Sequence, residues 1–400
     1  MTHGLINKLV FDRFSNNFLK IDFMPWDYAK KQKIEAWDDK DDDCLINYLD
    51  RSPYNMRVPQ ILKTSLSELA EKKSTNVVTD YFKSLKWDGK PRIDTLLIDY
   101  FGTEDTAYSR EILRKELVAV VKRIIEERPV KFDQMVILMG AQGIGKSTFL
   151  SKLGKQWYTD FKLKLDDKDT LVTLQKYMIV EVGELAGFNK VEVSALKNFM
   201  SQTTDTYRAP YDRRTTEHPR HYVLFGTTND NEFLKDATGE RRFWPIECLE
   251  QRPTKSVFNA LTPEEVDQIW AEAVYLYGEG ESLELSDEAK KLATLHQEMH
   301  KVVHPWEGII REFITAKVHK DWMRQTEVFG TSIAEDNENV IDRDRVCAVQ
   351  IWCECLGNGS ARNMTVADSK RINDILDTLK FEDRKLTRGK TTLYFREKVW

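Results

Sequence analysis

An apolar run followed at once by a glycine-rich segment constrains this chain more than any other feature. Met135–Met139 is apolar throughout, and residues 140–147 have the sequence Gly-Ala-Gln-Gly-Ile-Gly-Lys-Ser. The pattern predicts a buried strand, a tight turn and a helix that starts near Lys146. Such a turn can bind an anion, because its glycines let backbone N–H groups face one point and the start of the helix adds partial positive charge. An ordinary glycine-rich turn would leave the Lys-Ser pair unexplained. The pattern therefore predicts an α/β fold with a parallel sheet and a phosphate-binding loop.

The side chains of this loop have separate predicted tasks. Lys146 would reach the β- and γ-phosphates of a nucleotide, and the Ser147 hydroxyl would ligate Mg²⁺. We therefore expect ATP and Mg²⁺ as cofactors. The residues assigned to nucleotide binding are Gly140, Gln142, Gly143, Ile144, Gly145, Lys146, Ser147 and Thr148.

Composition narrows the class of protein. A hydrophobic content of 41% and a charged content of 31% are typical of a soluble globular protein, and no apolar run reaches membrane-spanning length. Five cysteines in 400 residues suggest reduced thiols, so we expect a cytoplasmic location; with no membrane-spanning run, no membrane partner is expected. A net charge of −5 counts against a protein that coats DNA, but it permits a local DNA channel.

A second apolar segment supplies carboxylates for hydrolysis. Residues 177–180 are Tyr-Met-Ile-Val, and Glu181 and Glu184 follow where the carboxyl edge of a parallel sheet would lie. ATPases need a carboxylate there to organise Mg²⁺ and to polarise water. We assign Glu181 to the metal side and Glu184 to activation of water. The alternative is two acids in a solvated loop between strand and helix.

Two further elements complete the predicted catalytic set. Apolar residues 222–225 lead to Asn229, whose amide could bond both the attacking water and the γ-phosphate; a simple turn-former is the alternative. Arg241 and Arg242 lie beside aromatic residues, and fixed guanidinium groups stabilise charge on a transferring phosphoryl group, often from the next subunit. The alternative role for these arginines is structural, with a surface salt bridge and packing of a guanidinium group on Trp244.

A basic segment with aromatic residues, 207–220, lies between these elements. Its sequence contains four arginines, two tyrosines and two acids. In a loop, arginines can neutralise phosphates and aromatic side chains can stack on single-stranded bases. A solvated basic hairpin is the alternative, and composition alone supports both interpretations equally. The residues assigned to DNA binding here are Arg208, Tyr211, Arg213 and Arg214.

The predicted organisation has four parts. They are a mostly helical domain (1–105), a P-loop core with a parallel sheet (106–260), a helical extension and linker (261–335) and a small winged-helix-like domain (336–400). In the last part, residues 385–395 predict a β-hairpin with a basic tip, where Arg388 and Lys390 would contact DNA; a protein-docking wing is the alternative. His296, His300 and His304 lack an evident fourth ligand, so a zinc site is not predicted.

The order of these motifs resembles that of superfamily 3 helicases of the AAA+ class. Residues 75–250 resemble the virulence-associated protein E family strongly and the C-terminal region does so loosely. The segments that carry the closer resemblance are 87–94, 140–148, 181–185, 207–211 and 238–244. Members are ATPases encoded by prophages and chromosomal islands. The Glu181-x-x-Glu184 spacing departs from their adjacent acids, so the resemblance does not assign a separate role to each glutamate.

This resemblance implies a ring, expected to be a homo-hexamer, with ATP at subunit junctions. Arg241 or Arg242 would reach the neighbour's γ-phosphate, and Lys197 would be a second cation acting between subunits. The predicted function is an ATP-dependent DNA helicase that moves along single-stranded DNA, with a separate primase or host replication proteins as partners. One competitor is a replication-origin initiator or interference module without unwinding activity, which would bind duplex DNA through the winged helix. A small-molecule kinase is another.

Overall fold

The structure, a computed structural model, describes most of the chain. The described residues are 5, 7–27, 34–51, 59–160, 168–208, 215–230, 240–250, 252–300, 304–319, 340–343, 345–358, 360–379, 387–391 and 396–399. Two compact units are present, Met1–Lys301 and Val302–Trp400. The predicted boundaries at residues 105, 260 and 335 stay predictions. No helix in the described ranges is long and apolar enough to cross a bilayer.

The first unit begins with a small sheet and several helices. Its first elements are β1 (Leu9–Asp12), β2 (Asn17–Lys20), β3 (Glu35–Ala36), α1 (Asp39–Arg51), α2 (Pro59–Lys72), β4 (Ser74–Thr75), α3 (Val77–Ser84), α4 (Leu96–Phe101) and α5 (Ala107–Glu126). The strands form one sheet in the order β3-β2-β1-β4. A mostly helical region was predicted, and it contains this sheet as well. Strands of two to four residues are too short to show a period of two.

Helix α5 has buried apolar residues at helical spacing along its length. Thr106 caps it, because the Thr106 hydroxyl accepts from the Ser109 N–H and the Ser109 hydroxyl accepts from the Thr106 N–H. Leu113, Leu117 and Val121 are fully buried in the largest core cluster. The helix thus covers one face of the central sheet.

The remainder of the first unit alternates strands and helices. Its elements are β5 (Met135–Met139), α6 (Lys146–Gly154), β6 (Tyr158–Asp160), α7 (Lys168–Leu174), β7 (Ile179–Val182), α8 (Lys190–Met200), β8 (Thr204–Tyr207), β9 (Thr216–Pro219), β10 (Val223–Thr228), β11 (Phe243–Glu247), α9 (Pro263–Gly278) and α10 (Asp287–Met299).

Five of these strands form the predicted parallel sheet. Their order is β11-β5-β10-β7-β6, and each neighbouring pair is parallel. All residues of β5 are buried, and alternate side chains enter different clusters: Val136 and Leu138 lie in one, and Met135, Ile137 and Met139 in the other. Both faces of the sheet are therefore covered, as parallel strands require.

The second unit is a separate small fold. It consists of α11 (Pro305–Thr315), β12 (Val318–His319), β13 (Val340–Ile341), β14 (Arg345–Cys347), α12 (Ala348–Gln350, continued by a π-helical turn over Ile351–Cys355), α13 (Val366–Thr378), β15 (Thr387–Thr391) and β16 (Arg396–Val399). Strands β14, β16 and β15 form an antiparallel sheet. Ile310, Ile351 and Leu376 are fully buried in its core. The last part of the predicted extension and linker, residues 320–335, lies outside the described residues.

The basic hairpin of the second unit lies a few residues later than predicted. Arg388 and Lys390 fall within strand β15, not at a hairpin tip, and β15 pairs with β16. The register shifts between Arg388 and Thr391. Gly389 therefore belongs to an irregular strand segment, and a glycine within a strand pattern indicates such a bulge as often as a turn.

Candidate functional site

The glycine-rich loop joins β5 to α6 at the carboxyl edge of the parallel sheet. Gly140, Gly143 and Gly145 have φ angles of 147°, 88° and 97°, which L side chains rarely adopt. A Cβ atom on Gly140 would lie 2.5 Å from the Cys248 carbonyl oxygen, so the loop approaches the end of β11 closely. Gly145 is the N-cap of α6. The turn therefore depends on glycine at these positions.

Lys146 lies inside this loop. Its side chain is buried, and its ammonium donates to the carbonyl oxygens of Gly140 and Ala141 (2.8 Å) and to Asn229 Oδ1 (2.9 Å). Burial lowers the pKa of Lys146, while Cys248 and Glu181 act in the opposite direction. All three acceptors are oxygen atoms, which is also the type of acceptor that phosphate groups present. The contact also places Asn229 at the loop, as its predicted role requires.

Glu181 is the centre of a network of hydroxyl groups. Its Oε1 accepts from Ser147 Oγ (2.7 Å) and Thr227 Oγ1 (2.6 Å), and its Oε2 accepts from the Tyr158 hydroxyl (2.6 Å). The carboxylate is buried, and the hydrogen bond to it and burial together raise the pKa of Tyr158, with burial the larger cause. Three donors hold the side chain in one orientation. Glu181 therefore lies beside the hydroxyl that was assigned to Mg²⁺.

Sequence reasoning missed Tyr158 and Thr227. Tyr158 lies on β6 and Thr227 on β10, the two strands that flank β7 in the sheet. No motif precedes Tyr158. The threonine pair before Asn229 was the one available signal, since polar residues at the end of a buried strand can line a site.

Glu184 differs from Glu181 in its surroundings. It is exposed, has a φ of 55° and begins a short 3₁₀ turn, Leu185–Gly187. A non-glycine residue in the left-handed region is uncommon and is often found at functional sites. Glu181 is therefore buried and in contact with Ser147, whereas Glu184 is exposed.

The other residues assigned to nucleotide binding differ in exposure. In the glycine-rich loop and the helix that follows it, Gln142 is exposed, and Ile144 and Thr148 are half-buried.

The two adjacent arginines also differ. Arg241 is exposed. Arg242 lies within 3.3 Å of an Asp133 carboxylate oxygen and donates to Ser201 Oγ at 2.9 and 3.1 Å. Lys197 is buried on α8, with its ammonium 5.7 Å from the centre of the Phe243 ring. Arg242 and Lys197 are therefore engaged within their own chain.

The basic segment contains the antiparallel pair β8–β9, in the register Thr204↔Pro219 to Tyr207↔Thr216. Arg208 is exposed at the end of β8. Tyr211, Arg213 and Arg214 lie outside the described residues. Arg388 and Lys390 lie on β15, where the backbone alone is described. The DNA-binding assignments therefore stay predictions.

One arginine of this segment has a different environment from the one its sequence suggested. Arg220 is fully buried, pairs with Asp205 and donates to the Phe199 carbonyl oxygen at 2.6 Å. Asp205 also accepts from the Tyr222 hydroxyl and from Gln175 Nε2, each at 3.0 Å. Arg220 thus anchors the base of the β8–β9 pair inside the protein.

Comparison with known proteins gives a family and some distant structural likenesses. The model of the virulence-associated protein E-like domain matches residues 82–302, more than half of the chain. Two apo structures of the NrS-1 C-terminal region align over 98% of this chain and 95% of that one, with 14% identity and a TM-score of 0.49. A third structure of that region has 15% identity and a TM-score of 0.46. A search of curated proteins gives no match.

Proposed function

This chain belongs to the virulence-associated protein E-like family, and from that premise we propose that it is an ATP-dependent DNA helicase. It would act in the bacterial cytoplasm in the replication of a phage or chromosomal island. The observation that carries the proposal is the cluster of Lys146, Ser147, Glu181 and Asn229 at one edge of the parallel sheet. A phosphate cation, a metal-side hydroxyl, a carboxylate and an amide are the groups that ATP hydrolysis needs.

The order of the strands supports an AAA+-like core. Taken by their order in the chain, the parallel strands lie fifth-first-fourth-third-second across the sheet. The glycine-rich loop follows the first strand, and Asn229 follows the fourth, which is its direct neighbour. Ligands of open parallel sheets bind at the carboxyl ends of such strands. ATP would therefore lie over β5 and β10.

Mg²⁺ would bind between the nucleotide and the Ser147 hydroxyl. Glu181 already contacts that hydroxyl, so it would hold the metal or the waters of the metal. Glu184, exposed and in a left-handed conformation, would orient the attacking water. These assignments keep the roles that the sequence suggested.

The contacts of the two arginines favour Arg241 as the residue that acts between subunits. Arg241 is exposed, whereas Arg242 contacts Asp133 and Ser201 of its own chain. In a ring, an exposed arginine can reach the γ-phosphate bound to the neighbour and stabilise charge in the transition state. A homo-hexamer is the proposed assembly.

Single-stranded DNA is the proposed substrate in the central channel. The loop between β8 and β9 would supply Arg213 and Arg214 to the phosphates, and the C-terminal unit would act as a winged helix on duplex DNA. A separate primase or host replication proteins would complete the machinery.

The test measures ATP hydrolysis with and without single-stranded DNA and displacement of a labelled strand from a forked duplex. We expect hydrolysis that DNA stimulates and displacement that needs ATP. Lys146→Ala should lower hydrolysis roughly 100-fold or more, because it removes the cation that meets the developing phosphate charge. The double variant Arg213→Ala with Arg214→Ala should lose DNA stimulation and keep nucleotide binding.

The outcomes separate the competing functions. Hydrolysis without displacement would favour an origin initiator or interference module. Phosphoryl transfer to a small molecule would favour a kinase. Unchanged turnover in the Lys146→Ala variant would contradict the site itself.

A further inference from the structure

An exposed phenylalanine lies beside the glycine-rich loop. Phe258 is 56% exposed, and among the exposed large apolar side chains of the described ranges it is the only phenylalanine. A Cβ atom on Gly145 would lie 3.5 Å from Phe258 Cζ and 3.3 Å from Val257 Cβ. A side chain at position 145 would therefore touch the edge of the aromatic ring, so the ring lies close to the last glycine before Lys146.

The helix that starts at Lys146 holds the backbone of this phenylalanine. Lys152, on α6, donates to the carbonyl oxygens of Val257 (2.8 Å), Phe258 (2.8 Å) and Leu261 (3.1 Å). The neighbouring Val257 is buried in the main core. One side of the segment is thus fixed to the loop and its helix, while the Phe258 ring stays accessible. The ring is therefore open to a ligand held at the loop, and covering it with such a ligand would remove apolar surface from water, which is favourable.

We propose that Phe258 is the stacking platform for the purine base of the nucleoside triphosphate. This inference rests on the proposed function and deepens it, since it names the part of the substrate that the glycine-rich loop does not hold. The loop binds phosphates, so the base must lie outside it. A flat ring beside the loop offers a base the contact area that stacking requires, and stacking is favourable for every base because each has a π-face.

The geometry makes Phe258 a specificity-determining residue. A purine covers more of the ring than a pyrimidine does, so wild-type protein should have a lower KM for ATP and GTP than for CTP and UTP. The difference should largely disappear in Phe258→Ala. Phe258→Trp should keep it, because an indole provides at least the same stacking surface.

The test separates the base from the phosphates. For Phe258→Ala we expect the KM for ATP to rise roughly tenfold, while kcat changes little, because the lost contact is the same in ground and transition states. Inorganic tripolyphosphate, which has no base, should inhibit wild type and variant with the same inhibition constant. Leu295→Ala, which shortens another exposed apolar side chain, should leave every constant unchanged.

Several results would overturn the proposal. These are an unchanged KM for ATP in Phe258→Ala, an equal rise in the KM for ATP and in the inhibition constant of tripolyphosphate, or a loss of ring assembly with the preference for purines intact. The last result would assign Phe258 to a contact between copies of the chain. If tripolyphosphate and ATP both fail to bind wild-type protein, the proposed function fails as well, and Lys146→Ala would then have no effect.

Discussion

The two ends of strand β10 both contain buried polar groups, yet they differ in how open those groups are. At its amino end, Arg220, Asp205 and Tyr222 satisfy one another inside the protein. At its carboxyl end, Thr227 contacts Glu181, and the exposed Asn229 contacts Lys146. Burial of charge is therefore common to both ends. What distinguishes the carboxyl end is that it lies at the glycine-rich loop and includes an exposed residue, Asn229.

This difference assigns separate tasks to the two ends. The amino-end network fixes where the β8–β9 pair leaves the sheet, and its removal should lower stability. The carboxyl-end network would orient side chains for the proposed nucleotide, and its removal should change activity at nearly constant stability. Variants at each end can test that division.

The largest expected effect is at the amino end. Asp205→Ala leaves Arg220 buried without its carboxylate, and breaking a buried pair from one side costs about 3–5 kcal/mol of the free energy of unfolding. Denaturant unfolding would measure the loss. Glu284→Ala is the matched control, because its pair with Lys290 is exposed and should be worth less than about 1 kcal/mol. Equal losses in the two variants would remove the distinction between the buried network and a surface pair.

The two ends also differ in how far the sequence predicted them. The loop site is contiguous, so Gly140–Thr148 could be identified from the spacing of glycines, lysine and serine alone. Arg220 instead has the same local composition as Arg213 and Arg214, and a basic stretch does not show which arginine turns inward. Its burial follows from pairing with Asp205 on the neighbouring strand, which is a contact of tertiary structure.

The same limit applies within the site. Strand order brings Tyr158 and Thr227 to Glu181 from both sides, and local periodicity predicts strands without their order. The parallel sheet was predicted correctly because β5, β7 and β10 each overlap a run of four or more consecutive apolar residues. The strands of the first sheet were missed because they contain at most three apolar residues in a row.

A second amino-end variant tests pH dependence. The His221 ring packs against Phe14 with ring centres 4.2 Å apart and the ring planes tilted by 31°, and burial lowers the pKa of His221 from 6.5 to about 4. As pH falls, the unfolded chain therefore binds this proton first. The stability contributed by neutral His221 is complete above about pH 6.5 and is lost progressively towards pH 4.

His221→Phe should remove this contribution to the pH dependence. A shift of this size corresponds to about 3 kcal/mol, and we expect about 2 kcal/mol because part of the side chain is exposed. The measurement is the free energy of unfolding at pH 7 and pH 4.5 in both proteins. Carboxylates titrate in the same range, so the difference between the two slopes is the quantity to compare. Identical slopes would show that His221 gains its proton equally well in the folded protein.

The smallest effect belongs to the carboxyl end. Tyr158→Phe removes one of three hydroxyl donors to Glu181 and keeps the aromatic ring. One hydrogen bond is worth about 1 kcal/mol, so the Mg²⁺ concentration for half-maximal ATP hydrolysis should rise roughly fivefold. Stability should change by less than about 1 kcal/mol, because Ser147 and Thr227 still hold the carboxylate.

Tyr277→Phe is the matched control for this variant, since the Tyr277 hydroxyl also donates to a glutamate, Glu126, at 3.5 Å. Its requirement for Mg²⁺ should equal that of wild type. A loss of stability in Tyr158→Phe with an unchanged Mg²⁺ requirement would place Tyr158 with Arg220 among the residues that build the sheet. A changed Mg²⁺ requirement at constant stability would instead show that the hydroxyl network at Glu181 orients ligands, and that the carboxyl end of β10 differs from its amino end in function as well as in exposure.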